Sequence, residues 1–304
     1  MATIYEKITE RILGKLEQGT APWRCSWSVD GKPIEAMGLM SKRPYRGINR
    51  LMTAVQGYRS PYWLTFNQAK KLGGKVKKDE HGTPVTMWKP APKDEHQKEM
   101  EADGWISTKR ERWICMGYVV FNLEQVEIDR ELLPKHAQSV EAPQIATSFQ
   151  HIEACEAIAA GYKDGPSISH RGYQAFYRPS TDSVTLPAAE DFLQPEEYYS
   201  VLFHELTHST GHEKRLGRKG ILETHSFGDQ TYSKEELIAE MGAAFLCATA
   251  GIETCTLDNS ASYIASWMQF IRGADPRTVV VAAGQAQRAA DLILGRTFET
   301  EASE

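Results

Sequence analysis

The sequence predicts an α+β protein of two domains, and three observations predict it. Its 304 residues exceed the size of one ordinary domain. Charge divides the chain. Residues 1–93 carry a balance of +10 and residues 94–304 a balance of −15, which together give the net −5. Between the halves, "LPKHAQSVEAPQIAT" (133–147) holds two prolines and no periodic pattern. That is how an inter-domain linker reads. The domains are therefore residues 1–135 and 148–304, joined by 136–147.

The elements follow in order. Ile4, Ile8, Ile12, Leu13 and Leu16 recur at helical spacing, and Gly19 closes the helix they predict over 3–18. "TFNQAKKLGG" (65–74) reads as a short helix with a glycine stop. "KVKKDEHGTPVTMWKP" (75–90) reads as a strand, a turn at 79–84 and a second strand. "APKDEHQKEMEADG" (91–104) is a polar inserted loop, and 112–128 is apolar and β-rich. The second half opens with a helix at 148–160 and two or three short strands within 166–187. Helices then follow at 195–209, 234–250, 258–272 and 277–294.

Composition excludes several classes. Hydrophobic residues are 41% and charged residues 25% of the chain, the mix of a soluble globular protein. No run approaches the ~18–20 apolar residues that span a membrane, so no membrane partner is expected. "MATIYEKITE" lacks the apolar core of a secretory signal. The five cysteines (Cys25, Cys115, Cys155, Cys247, Cys255) are odd in number and never spaced as CxxC. They suit a reducing, cytoplasmic location, as small buried hydrophobes rather than disulfides or metal ligands.

The basic half interleaves cations with aromatics. Arg24, Lys42, Arg43, Arg46, Arg50, Arg59, Lys75, Lys77 and Lys78 lie among Trp23, Tyr45, Tyr58 and Trp88. Cations neutralise phosphates and aromatic faces take unstacked bases, so this set predicts single-stranded DNA binding without sequence preference. Tyr62, Trp63 and Phe66, in "SPYWLTFNQA", read instead as core. A solvated basic face is the plainer alternative.

In the acidic half, "HELTH" (204–208) fits HExxH. On a helix, His204 and His208 share a face and can reach one ion, while Glu205 beside them can act as general base. Zinc wants a third protein ligand. "SKEELIAEMGAAFL" (233–246) offers it, with Ser233 as the expected N-cap. Glu236 and Glu240 share a face with Ala243 and Ala244. One can ligate and the other can hold a ligating histidine. Glu235 points elsewhere, into solvent. His212 follows Gly211 and turns away from the metal. Tyr232 and Asp229 are candidates for the site's surroundings.

Longer strings now carry a resemblance. "APWRCSW", "RPYRGINRLM", "SPYWLTFNQAKKLGGKVKKDEHGTPV" and "VVFNLEQVE" resemble the N-terminal domain of ArdC-type antirestriction proteins, shared with TraC-type plasmid primases. "YYSVLFHELTHSTGHEKRLGR" with "YSKEELIAEMGAAFLCA" resembles the zincin-like metallopeptidase domain of the same proteins. The resemblance implies a plasmid-borne protein that binds single-stranded DNA and protects incoming DNA from host restriction endonucleases after conjugation. It places the metal on His204, His208 and Glu236, and the catalytic glutamate on Glu205. Glutamate-ligand zincins often carry a further acid one turn on, which assigns the supporting role to Glu240. Zn²⁺ is the expected metal, with Mn²⁺ as the substitute. Two alternatives stand beside the antirestriction reading. One is a DNA-recruited zinc metalloprotease acting on a restriction–modification protein, and the other is a primase accessory protein. In zincin-like folds an edge strand borders the metal cleft, and 175–187 could supply it.

Overall fold

The computed structural model describes residues 2–24, 28–29, 32–33, 35–90, 113–138, 148–222, 230–252 and 261–296. The expected loop at 91–104 falls outside these residues, as does most of the expected linker.

The first helix, α1 (Ile4–Glu17), starts with a capping box. Thr3 Oγ1 accepts from the Glu6 amide at 3.2 Å, and the Glu6 carboxylate accepts from the Thr3 amide at 2.5 Å. Ile8, Ile12 and Leu16 form its buried stripe. A two-stranded ribbon follows, β1 (Ser28–Val29) with β2 (Lys32–Pro33). The N-terminal sheet has the order β3 (Met37–Gly38), β4 (Tyr62–Thr65), β7 (Trp113–Asn122), β6 (Thr83–Pro90). Strand β3 is parallel to β4, and the other neighbours are antiparallel. β5 (Lys75–Val76) pairs with β8 (Val126–Glu127) in a separate ribbon.

Two short helices brace the sheet. In α3 (Phe66–Lys71) the Thr65–Gln68 capping box sets the start. α2 (Ile48–Ala54) lies against the outer strand β6. There the Asn49 amide copies a strand partner: Nδ2 donates to Thr86 O and Oδ1 accepts from Thr86 N, both at 2.7 Å. That satisfies part of an edge that would otherwise invite another chain.

After α4 (Lys135–Gln138) and α5 (Ser148–Gly161), a three-stranded sheet has the order β10 (Phe176–Arg178), β11 (Ser183–Leu186), β9 (Ser167–His170). Then come α6 (Pro195–Ser209), α7 (Lys219–Leu222), α8 (Gln230–Ala250), α9 (Ala261–Gly273) and α10 (Thr278–Ile293). Helix α8 begins a turn before Ser233, so that serine is not its cap. Helices α6 and α8 approach closely at Gly242. A Cβ there would meet Thr207 Cγ2 at 2.5 Å, so only glycine permits the spacing.

One large core joins both halves. Ile8, Ile12 and Leu16 of α1, Trp23, and Ile48, Leu51 and Met52 of α2 cluster with Phe203, Leu206, Phe245, Trp267 and Ala286. The N-terminal sheet keeps two small clusters of its own, around Leu64 and around Trp63. The two halves of the sequence thus share one core.

Candidate metal centre and basic surface

Helix α6 carries Pro195 in its first turn with Glu196 and Glu197, as the helix dipole favours. Leu202, Phe203 and Leu206 anchor one side in the core. That leaves His204 and His208, one turn apart, on the face towards α8. Their Nε2 atoms are 3.1 Å apart, with ring planes at 80°. Glu236, on α8, reaches both: Oε2 is 3.5 Å from His204 Nε2, and Oε1 is 3.5 Å from His208 Nε2. The three ligand atoms lie within 4.8 Å of one another. Ligands held at 2.0–2.1 Å around a tetrahedral ion are roughly 3.3 Å apart, so the donor set fits such an ion by type and spacing.

The site is strongly negative. Burial alone would depress the His204 imidazolium, but the Glu236 hydrogen bond and the charges of Glu205, Glu240 and Glu236 push it up to about 9. Burial would raise Glu236; its bonds and charges from His204 and His208, with the Tyr232 phenol, bring it down to about 2. Tyr232 itself is pushed up to about 12 by burial and by the Glu236 charge. A cation is therefore at home between these groups. Glu205 is buried beside the cluster at 7% exposure.

Glu235 corrects an expectation. It is buried, not solvated. Its Oε1 meets His208 Nδ1 at 3.3 Å, and Arg218 grips both of its oxygens. Burial would raise this carboxyl, yet the Arg218 and His208 hydrogen bonds hold it below the ordinary range. A signal for this was present in the sequence: Ile238, Ala239, Gly242 and Leu246 share the face of Glu235, and all are interior. Glu240 bears on His204 through its charge, whereas Glu235 makes the hydrogen bond to His208. His212 lies outside the ligand cluster, where its Nδ1 accepts from the Lys214 amide at 3.3 Å. Asp229 is outside the described residues.

The basic half divides. Lys42, Arg43, Arg59, Lys75, Lys77 and Lys78 are exposed, and Trp88 is 48% exposed. Lys77 Nζ also donates to Glu124 O at 2.8 Å. Trp23 is a correction. It is fully buried, edge-on to Trp267 at 5.5 Å, and cannot stack on a base. Phe66 is the converse, expected in the core and 57% exposed. Tyr45 and Tyr58 are half-buried against the Trp63 cluster, Tyr58 edge-on to Trp63 at 5.7 Å. Arg46 pairs with Asp291 on α10. The Arg50 guanidinium lies 5.2 Å over the Phe245 ring on α8, and burial draws it down to about 10. Both arginines therefore face the helical half rather than open solvent. The Arg24 side chain is outside the described residues. One cation outside the expected set, Lys89, lies 5.8 Å over the half-buried Tyr118 ring, next to exposed Met87 and Met116.

Comparison with known proteins matches both halves. Residues 2–121 match the N-terminal domain of anti-restriction factor ArdC, and residues 153–285 match the zincin-like metallopeptidase family. An uncharacterized protein y4eC of Sinorhizobium fredii (strain NBRC 101917 / NGR234) is 33% identical over 99% of this chain and 94% of its own. DNA primase TraC of Escherichia coli is 33% identical over 95% of this chain, which spans only 27% of that primase. The Mn(II)-bound crystal structure of antirestriction ArdC protein from R388 plasmid is similar with a TM-score of 0.71 at 31% identity, covering 99% of this chain and 100% of that one. No described helix is long and apolar enough to cross a membrane. With both domains matched in order and nearly full-length relatives above 30% identity, this chain belongs to the ArdC-type antirestriction family, an ArdC N-terminal domain joined to a zincin-like metallopeptidase domain.

Proposed function

We propose that the protein is an antirestriction factor that binds single-stranded DNA through its N-terminal half and a divalent metal at His204, His208 and Glu236. The observation that carries the reading is the gathering of those three ligand atoms in a chain of this family. The His₂Glu donor set suits Zn²⁺, and nitrogen and oxygen ligands also accept Mn²⁺. A relative's crystal structure with Mn(II) supports that range. When bound, the metal would lower the pKa of a coordinated water towards ~7 and polarise a carbonyl. On the peptidase reading, Glu205 would serve as general base towards that water and pass the proton to the leaving amine. The Tyr232 phenol donates to Glu236 and steadies that carboxylate.

The DNA surface is built from Lys42, Arg43, Arg59, Lys75, Lys77, Lys78 and Trp88. Their charges give affinity without sequence preference. A second reading, a DNA-recruited metalloprotease acting on a restriction–modification protein, has one observation in its favour. Strand β10 is an outer strand of its sheet and packs against α6, the helix that carries His204 and His208, so an extended peptide could pair along it.

The deciding experiment is an antirestriction assay on wild type, Glu205→Ala and a His204→Ala/His208→Ala double variant, with bound metal quantified in each. Single- and double-strand affinities are measured alongside. Protection by wild type with tighter single-strand binding is expected. Equal affinity for both DNA forms at physiological salt would sink the DNA reading. Loss of protection in Glu205→Ala with metal retained favours the protease reading.

A further inference from the structure

We infer that Arg218 and Glu235 form a positioning pair that fixes His208 for the metal. The inference rests on the metal reading above. Glu235 is buried on α8, with a side chain only 4% exposed. Its Oε1 accepts from Arg218 Nη2 at 2.6 Å and its Oε2 from Arg218 Nε at 2.9 Å, the two-pronged geometry of a guanidinium on a carboxylate. The same Oε1 faces His208 Nδ1 at 3.3 Å. An ionised carboxylate can only accept, so the ring nitrogen facing it carries the proton. The lone pair of a neutral His208 then sits on Nε2, the atom that faces His204 and Glu236.

Arg218 works at both ends. Nη1 donates to Thr210 Oγ1 at 2.5 Å and Nη2 to Thr207 O at 2.8 Å. These acceptors lie at the C-terminal end of α6, where the dipole favours a cation. One guanidinium thus ties the end of the helix carrying His204 and His208 to the helix carrying Glu236. Gly220 makes room for it: a Cβ there would meet Glu235 Cβ at 2.8 Å.

Stability alone is a poor reason to bury such a pair. Replacing a buried ion pair with apolar groups of similar volume is often neutral or stabilising, whereas removing one partner is severe. Carboxylates that orient a ligating imidazole instead typically alter metal affinity by about 10- to 100-fold.

The test uses the full chain, stripped of metal and titrated with Zn(II) and separately Mn(II) against a chromophoric chelator. The informative variant is the double Arg218→Met/Glu235→Leu, which removes both charges together. It is expected to unfold at or above the wild-type temperature while binding Zn(II) about 10- to 100-fold more weakly. An Ile12→Val variant, which trims a buried residue of α1, gives the reference for a purely structural change and is expected to bind within twofold of wild type. Affinity within twofold of wild type in the double variant would overturn the inference. Independently of any variant's folding, nitrogen-15 spectra of the metal-free wild type should show His208 protonated at Nδ1. Protonation at Nε2 instead overturns the inference. A wild type that binds neither metal overturns the metal reading and this inference with it.

Discussion

Arg46 and Arg50 lie in the same basic tract as Lys42, Arg59, Lys75 and Lys78, yet the two groups do different work. The first pair reaches across to α10 and α8, to Asp291 and over Phe245. The second group stays exposed on the N-terminal surface. A count of charges treats them alike. The difference teaches that a basic half can use part of its charge to hold itself onto its neighbour, leaving a smaller set for a polyanion.

The sharpest test of that division is Trp23, which carries no charge but sits among the cations. Trp23→Ala should cost about 3–5 kcal/mol in denaturant unfolding, as a buried aromatic does. A small loss of stability with a large loss of single-strand binding would reverse its assignment. Next comes Gly242→Ala, which inserts a methyl between α6 and α8 at 2.5 Å from Thr207. About 1–3 kcal/mol of destabilisation is expected, with weaker metal binding, because both helices supply ligands. Unchanged metal affinity would show that the helices adjust independently.

Arg46→Ala should cost about 1.5–3 kcal/mol, the range for a charged hydrogen bond, and leave the salt dependence of DNA binding nearly unaltered. Triple replacement of Lys75, Lys77 and Lys78 by Gln should do the opposite. Stability should move by no more than about 0.5 kcal/mol per site, while the slope of log affinity against log salt falls by about 0.7 for each phosphate no longer neutralised. If Arg46→Ala alters the slope and the triple variant does not, the division is the wrong way round.

Asp182 extends the comparison to the acidic half. Arg215, in the turn after α6, clamps it at the β10–β11 turn and also donates to Ser209 O and Asp164 O, each at 2.8 Å. Burial would raise the Asp182 carboxyl, but the bonds from Arg215 and Tyr177 and the guanidinium charge hold it below the usual range. A depressed folded-state value contributes stability that is present above the unfolded value, ~3.9, and is lost as pH falls through the folded one. Urea unfolding from pH 7 down to 3 should show wild type losing its advantage over Asp182→Asn below pH ~4. A constant difference across that range would remove the charge from the explanation.

Sequence reading was clearest where function depends on local spacing. His204 and His208 are four residues apart on one helix, so their shared face follows from helical geometry alone. The exposed lysines and arginines of the N-terminal half were legible as charge but not as surface. Trp23 and Phe66 exchanged places because their burial is set far along the chain. Trp23 is covered by Trp267, which no local pattern reports. Arg218 was invisible for a similar reason: an arginine in a polar turn becomes an interior residue only when α8 brings Glu235 to it.

Helix α1 also bears on how the protein comes to be made. Thr9 donates to Pro276 O, a partner 267 residues further along, and Glu17 meets Arg272. At ~5–20 residues per second, the ribosome needs about 13–53 s to deliver that partner once α1 has emerged. A helix of 14 residues holds its shape poorly alone. Its Ile8, Ile12 and Leu16 stripe therefore gains full cover only when α9 and α10 pack against it, which makes α1 one of the later elements to be locked.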